Sequence, residues 1–201
     1  MTEVKETKYY AYMFRKEILY FEKPGPANTQ ACLHILERLV QEGYKDFVVA
    51  STTGETGRLV AEKLTHYNIN LVVIGHCVGF KGPNQDEFLP QNYNAILAAG
   101  GRVYKGTILT HSLEKALSKK FNGLYPTLLI AETLRRLGEG MKVCCEIVME
   151  ACDAGLIAEG KKVVAMAGTA KGADTVTVIK SAASKRFLEL KVLEILAKPR
   201  A

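Results

Sequence analysis

A chain of 201 residues with 48% hydrophobic and 24% charged residues has the make-up of one globular domain with a buried core. No apolar run is long enough to span a membrane, and the charged opening MTEVKETKYYAYMFRKE lacks the apolar core of a leader, so a cytoplasmic protein is expected. The net charge of +6 lies in isolated doublets (Lys119–Lys120, Arg135–Arg136, Lys161–Lys162) without a nucleic-acid motif or stacking aromatics beside them. This excludes a nucleic-acid partner and a membrane from the expectation and leaves an anionic small molecule.

In chain order, Ile18–Glu22 reads as a short strand, broken by Lys23-Pro24-Gly25-Pro26. Cys32, Ile35, Leu36, Leu39 and Val40 then recur at helical spacing up to a stop at Gly43. Phe47–Ala50 is a second strand, followed by Ser51-Thr52-Thr53-Gly54-Glu55-Thr56-Gly57 and a helix with Leu59, Val60, Leu64 and Tyr67 on one side. Leu71–Ile74 is a third. Strands this short and uniformly apolar are covered on both faces, as in a parallel sheet between helices, and ligands of such sheets bind at the C-terminal strand ends.

A short strand at Arg102–Tyr104 comes next. Helical patterns then run through Ser112–Lys120, Pro126–Leu137 and Met141–Ala154, with Gly138, Gly140 and Gly155 as breaks. The chain is expected to be a single domain over 1–201, with a helical insertion at about 107–160. Lys162–Ala167 is a strand leading to Gly168–Asp174, Val176 and Val178 alternate as a strand does, and Leu188–Leu196 fits either strand or helix. Five cysteines without a C-x-x-C pair argue against a disulfide framework or a metal site; Cys144, Cys145 and Cys152 read as small core residues of a helix.

The loop Ser51–Gly57 combines what a phosphate needs. Helix-start N–H groups point outward at the positive end of a dipole, Gly54 and Gly57 permit close approach, and Ser51, Thr52, Thr53 and Thr56 supply hydroxyls. One capping residue would suffice to start a helix; four hydroxyls and two glycines exceed that. Further loops at the same edge can complete a site: Gly75, His76, Val78, Gly79 and Phe80 after the third strand, Gly168, Thr169 and Lys171 after the Lys162–Ala167 strand, Asn28 and Thr29 before the first helix, and Thr107. Of four histidines, His34 and His66 sit within helical patterns, and His76 beside Cys77 is the pair to mutate. No nucleophile–base set follows from spacing, and the catalytic residues stay unknown.

Ser51–Thr56 reads S-x-T-G-x-T, which resembles the flavodoxin phosphate loop that holds the phosphate of FMN, although flavodoxins place it after their first strand. Over the whole chain, EKPGPANT and the following helix, Ala50–Thr56 between strand and helix, and the Val163–Val178 strand pair resemble the C-terminal domain of pyruvate kinases. They resemble still more closely a group of stand-alone archaeal-type proteins built on that domain. The resemblance implies a three-layer α/β/α sandwich with a mostly parallel mixed sheet, its last strand antiparallel, and a likeness to homo-oligomers. It excludes pyruvate kinase catalysis, which resides in a barrel this short chain cannot contain. The lysine and arginine of that domain's T-K-S-G-R-S-type phosphate loop are replaced by Thr52 and Glu55. The tryptophan and arginine of its W-R-P-G-S-G-type loop are replaced by Thr169 and Ala170, leaving Lys171 as the cation. The expected ligand is therefore a phosphate monoester, first of all FMN, with a sensing domain for a phosphorylated metabolite such as a phosphosugar as the alternative.

Overall fold

A computed structural model describes residues 14–200, so most of the charged opening stretch lies outside the described residues. A seven-stranded sheet is built from β1 (Leu19–Phe21), β2 (Asp46–Ala50), β3 (Asn70–His76), β4 (Arg102–Gly106), β5 (Lys162–Ala167), β6 (Thr175–Lys180) and β7 (Lys191–Pro199). Their order is β1-β7-β6-β5-β2-β3-β4. The sheet is mixed and mostly parallel: β6 runs antiparallel to both β5 and β7, and β7 returns to the common direction beside β1.

Alternation along the strands divides the core into two layers. Phe47 and Val49 of β2, Leu71 and Val73 of β3 and Val164 and Met166 of β5 meet one set of helices. These are α1 (Thr29–Gln41), α2 (Glu55–Leu64) and α3 (Pro90–Ala98). Val48, Val72, Ile74, Val163, Ala165 and Ala167 point the other way, where Cys144, Cys145, Ile147, Val148 and Ala151 of α6 (Glu139–Asp153) cover them. Both faces of the central strands are thus dry, which accounts for their unbroken apolar sequences.

Three expectations change. The Ile18–Glu22 strand exists but forms the sheet's edge among the described residues, paired there with β7 alone, and Leu19 and Tyr20 are largely exposed instead of buried on both faces. The stretch expected as a helical insertion includes α6, which is itself the covering layer of the sheet; α4 (Leu113–Phe121) and α5 (Pro126–Arg135) lie before it. Gly140 is no helix break but the second residue of α6. A Cβ there would stand 2.2 Å from Thr175 Oγ1 on β6, so its glycine sets how closely α6 lies on the sheet. α3 carries no strong apolar stripe and went unread; Leu188–Leu196 resolves into a 3-10 helix at Ser184–Glu189 followed by β7.

Gly140→Ala should lift the first turn of α6 and cost about 1–3 kcal/mol of stability, as overpacking of a close contact does. Urea denaturation of the variant beside the parent chain measures it, and an unchanged midpoint would contradict the contact.

Candidate functional site

The C-terminal ends of β2 and β5 lie side by side, since Val49 is in register with Met166. Above them opens a cleft of ≈ 600 Å³, within the size range of small-ligand sites. Its near wall is the loop after β2 and the first turn of α2, its far rim the β5–β6 loop, and its floor the buried face of α6.

The loop after β2 is held from behind. Gly54 precedes α2 with φ +82°, a left-handed conformation that favours glycine, and a Cβ there would meet Phe88 Cε1 at 2.4 Å. Phe88 also touches Gly75, where a Cβ would fall 2.8 Å from its ring, so one buried aromatic requires glycine at both positions. The carbonyl of Thr53 accepts from Leu89 N–H at 3.1 Å and Asn92 Nδ2 at 2.9 Å. The helix start has no side-chain cap at Gly54. Instead Ser51 Oγ accepts the Gly57 N–H at 3.2 Å, while Arg58 N–H reaches the Gly54 carbonyl at 2.8 Å. Glu55 and Thr56, the first two residues of α2, have no intrahelical acceptor for their N–H groups. Both line the cleft, with Thr52 and Thr53 beside them.

Across the opening, Gly168, Ala170, Lys171 and Gly172 form the rim. Its anchor is Asp174, which is fully buried. Asp174 Oδ2 accepts from Gly25 N–H at 2.9 Å and Thr169 N–H at 3.1 Å, and Oδ1 accepts from the Thr175 hydroxyl at 2.8 Å. Thr29 Oγ1 donates to the Pro26 carbonyl and accepts from Ala173 N–H. Ala170, at φ +63°, takes a left-handed conformation in this loop.

The floor was not foreseen. Lys142, Glu146 and Glu150 are spaced by four along α6 and are 3%, 3% and 4% exposed. Lys142 Nζ pairs with Glu146 Oε2, and Glu146 Oε1 accepts from the Thr110 hydroxyl and from its N–H at 3.1 Å. His111 stands between two cations, with Lys142 Nζ 3.4 Å from Nδ1 and Arg135 Nη2 3.3 Å from Nε2. Burial first, and then Lys142, lowers its pKa below the ordinary imidazole value. The signal was readable: lysine and glutamates at i, i+4 and i+8 on a helix whose other buried positions are Gly, Met, Cys, Ile, Val and Ala.

Among the residues expected at the site, the cleft brings together Ser51, Thr52, Thr53, Glu55, Thr56, Gly75, His76, Phe80, Gly168 and Lys171. His76 Nδ1 lies 2.9 Å from Glu87 Oε2, and its ring is 4.3 Å from that of Phe80. Others are placed elsewhere. Gly54 and Gly57 stand behind the wall, where a Cβ at Gly57 would press Val73 at 2.5 Å. Val78, Gly79 and Thr107 line an adjoining hollow of ≈ 540 Å³ shared with Phe80 and His111. Thr169 gives its N–H to Asp174, Thr29 is buried in the same network, and Asn28 Nδ2 is spent on the Lys23 carbonyl at 2.8 Å; none of the three is among the residues lining the cleft. His34 and His66 are exposed on α1 and just beyond α2. Cys144 and Cys145 are buried in the core as expected. No helix among the described residues is long and apolar enough to cross a membrane.

The family model for the pyruvate kinase alpha/beta domain matches residues 30–179. The chain belongs to that family. The match runs from α1 through the helical middle to β6. Among solved structures, a pyruvate kinase from Cryptosporidium parvum is similar at 14% identity over 80% of this chain and 24% of its own, TM-score 0.42. A second structure of the Cryptosporidium parvum enzyme matches at 12% identity over 80% of this chain and 23% of that one, TM-score 0.39. The enzyme in complex with ADP matches at 14% over 81% and 25%, TM-score 0.42. The chain spans about a quarter of the length of these pyruvate kinases.

The Glu150 carboxyl is pushed up to about 8, chiefly by burial and next by Glu146, against which Lys142 acts. Between the ordinary carboxyl value and about 8 the unfolded chain has lost this proton while the folded chain keeps it. Stability therefore falls as pH rises through that window. Glu150→Gln should abolish this part of the slope, so that the variant gains on the parent between pH 5 and pH 8. Denaturation at the two pH values reads the difference; parallel pH profiles would refute the shift.

Proposed function

We propose that the chain binds a small molecule carrying one phosphate group, with FMN as the first candidate, in the cleft at the C-terminal edge of the sheet. The observation that carries this reading is the first turn of α2: Glu55 and Thr56, whose N–H groups have no acceptor within the helix, line the cleft together with Thr52 and Thr53 at the positive end of the helix dipole. Lys171 lines the same cleft from the rim. The Glu55 carboxylate, at the same end, disfavours a second phosphate and so favours a monoester over a bisphosphate.

The rest of the lining fits FMN in character. Ile74, Phe80, Ile108, Val143 and Ile147 offer apolar surface for a ring, and His76, Lys142 and Glu146 offer polar contacts. Bound FMN would supply redox chemistry at its ring, while this chain's residues would hold the phosphate and shield the ring from water. The likeness of the loop to the flavodoxin S-x-T-G-x-T pattern supports the same choice. A second reading, favoured by membership in the pyruvate kinase alpha/beta domain family, is a sensing domain that binds a phosphorylated metabolite without acting on it.

The two readings separate on the absorption spectrum of the purified protein and of the supernatant after heat release. FMN in both supports the flavin. A colourless protein that refuses added FMN but melts higher with a phosphosugar supports the sensor. Replacing Thr53 and Thr56 together by alanine should weaken either ligand about tenfold or more, at roughly 1 kcal/mol for each lost hydrogen bond. Unchanged affinity in that variant, with its circular dichroism intact, rules the loop out.

We also propose a homo-oligomer, supported by the β1 edge, where Ile18, Leu19 and Tyr20 are exposed beside a strand side that no described residue pairs. Sedimentation equilibrium checks it, and a monomer at high micromolar concentration refutes it.

A further inference from the structure

The phosphate end accounts for one wall of the cleft and leaves its floor without a purpose. On that floor Lys142 and Glu146 satisfy each other, and Thr110 completes Glu146. Glu150 has no such relief. It is 4% exposed, it lines the cleft, and among the described residues its Oε2 meets no hydrogen-bond partner. Folding strips such a group of water and gives nothing back. An apolar side chain would serve the fold better at this point of a helix that already presents cysteines, isoleucine and methionines around it.

Gly106, at the end of β4, faces the carboxyl, and a Cβ there would come within 3.1 Å of Glu150 Oε2, so glycine is what keeps that side of the carboxyl uncrowded. The charged groups acting on Glu150 are Glu146, Lys142 and Asp153, all on its own helix, and burial holds the proton on the carboxyl at neutral pH. A neutral carboxyl both donates and accepts hydrogen bonds. It suits an uncharged polar group better than a second anion or a fixed cation.

We infer that Glu150 is a ligand-binding residue that hydrogen-bonds an N–H or hydroxyl group of the phosphorylated ligand, at the end of the molecule away from its phosphate. This deepens the phosphate-ester reading and rests on it. The donor is a ring N–H if the ligand is a flavin nucleotide and a sugar hydroxyl if it is a phosphosugar. Two polar groups on different walls of one cleft would let the protein select by both the ends and the length of its ligand.

The test compares the parent chain, Glu150→Gln and Glu150→Met for affinity toward inorganic phosphate, FMN and glucose 6-phosphate, with melting temperatures as control. Inorganic phosphate, which reaches only the α2 end, should bind all three proteins alike. One of the two esters should bind the parent at least tenfold more tightly than phosphate does, and which one it is names the donor. Glu150→Met should lose tenfold or more of that ester affinity, while Glu150→Gln, which can still donate and accept, should keep most of it. Ligand-free Glu150→Met should melt at or above the parent temperature, because a buried unpartnered carboxyl is gone.

An ester held as tightly by Glu150→Met as by the parent overturns the inference. So does a Glu150→Met protein that melts several degrees lower, which would make Glu150 a structural residue, and so does a parent chain that holds neither ester better than phosphate. Failure of phosphate alone to bind, with the ester still losing tenfold in Glu150→Met, would sink the α2 reading and leave Glu150 standing. Binding of none of the three probes overturns both.

Discussion

A sheet whose central strands are apolar on both faces cannot be left open to water on either. On one side three helices share the task of covering it. On the other, α6 does most of it, with Leu134 of α5 and Leu190, between the 3-10 segment and β7, at its margin. That constraint forces α6 into the interior along its whole length, and it explains why its residues are buried from Gly140 to Ala151 with only Val143 partly exposed. A helix so enclosed has no solvent face on which to put charge. Whatever charge it carries must be paired or must line a cavity, and the Lys142–Glu146 pair and the cleft are the two results.

The same geometry makes the cleft a meeting of unlike walls. From α2 come backbone donors and hydroxyls, small groups close to the chain that tolerate little movement. Phe88, just before α3, and Asn92 on it fix that wall from behind. From α6 come long side chains whose charges are governed by how far water has been excluded. Membership in the pyruvate kinase alpha/beta domain family accounts for the sheet and for the strand–loop–helix that holds Ser51–Gly57.

How much could be read in advance follows from where each signal is stored. β2, β3 and β5 were legible because a doubly covered strand has only apolar residues, and Phe47–Ala50 can be little else. β1 was legible as a strand but not as an edge, since three residues do not say how many neighbours they will have. The wall Ser51–Gly57 was legible because helix starts and glycines act locally. Asn28 and Thr29 could not be told from ligand contacts, because a residue that braces a loop and one that touches a ligand have the same polar chemistry; only their partners distinguish them, the Lys23 carbonyl that accepts from Asn28 and the Ala173 N–H that donates to Thr29. Phe88 escaped notice because its role lies in contacts with Gly54 and Gly75, far apart in the chain. Lys142, Glu146 and Glu150 left a signal in their spacing of four along a largely apolar helix, but only burial by distant elements turns that spacing into a floor.

Asp174 has a consequence for how the far rim behaves. Its single buried carboxylate gathers backbone from the turn before α1 and from the loop after β5, and Thr29 fastens the two a second time. The rim is thereby cross-linked by hydrogen bonds during folding, so the conformational freedom of Gly168–Asp174 is already gone before any ligand arrives. An incoming molecule meets a surface that has been set like type, and most of the entropy of shaping that side of the complex is charged to folding, not to binding.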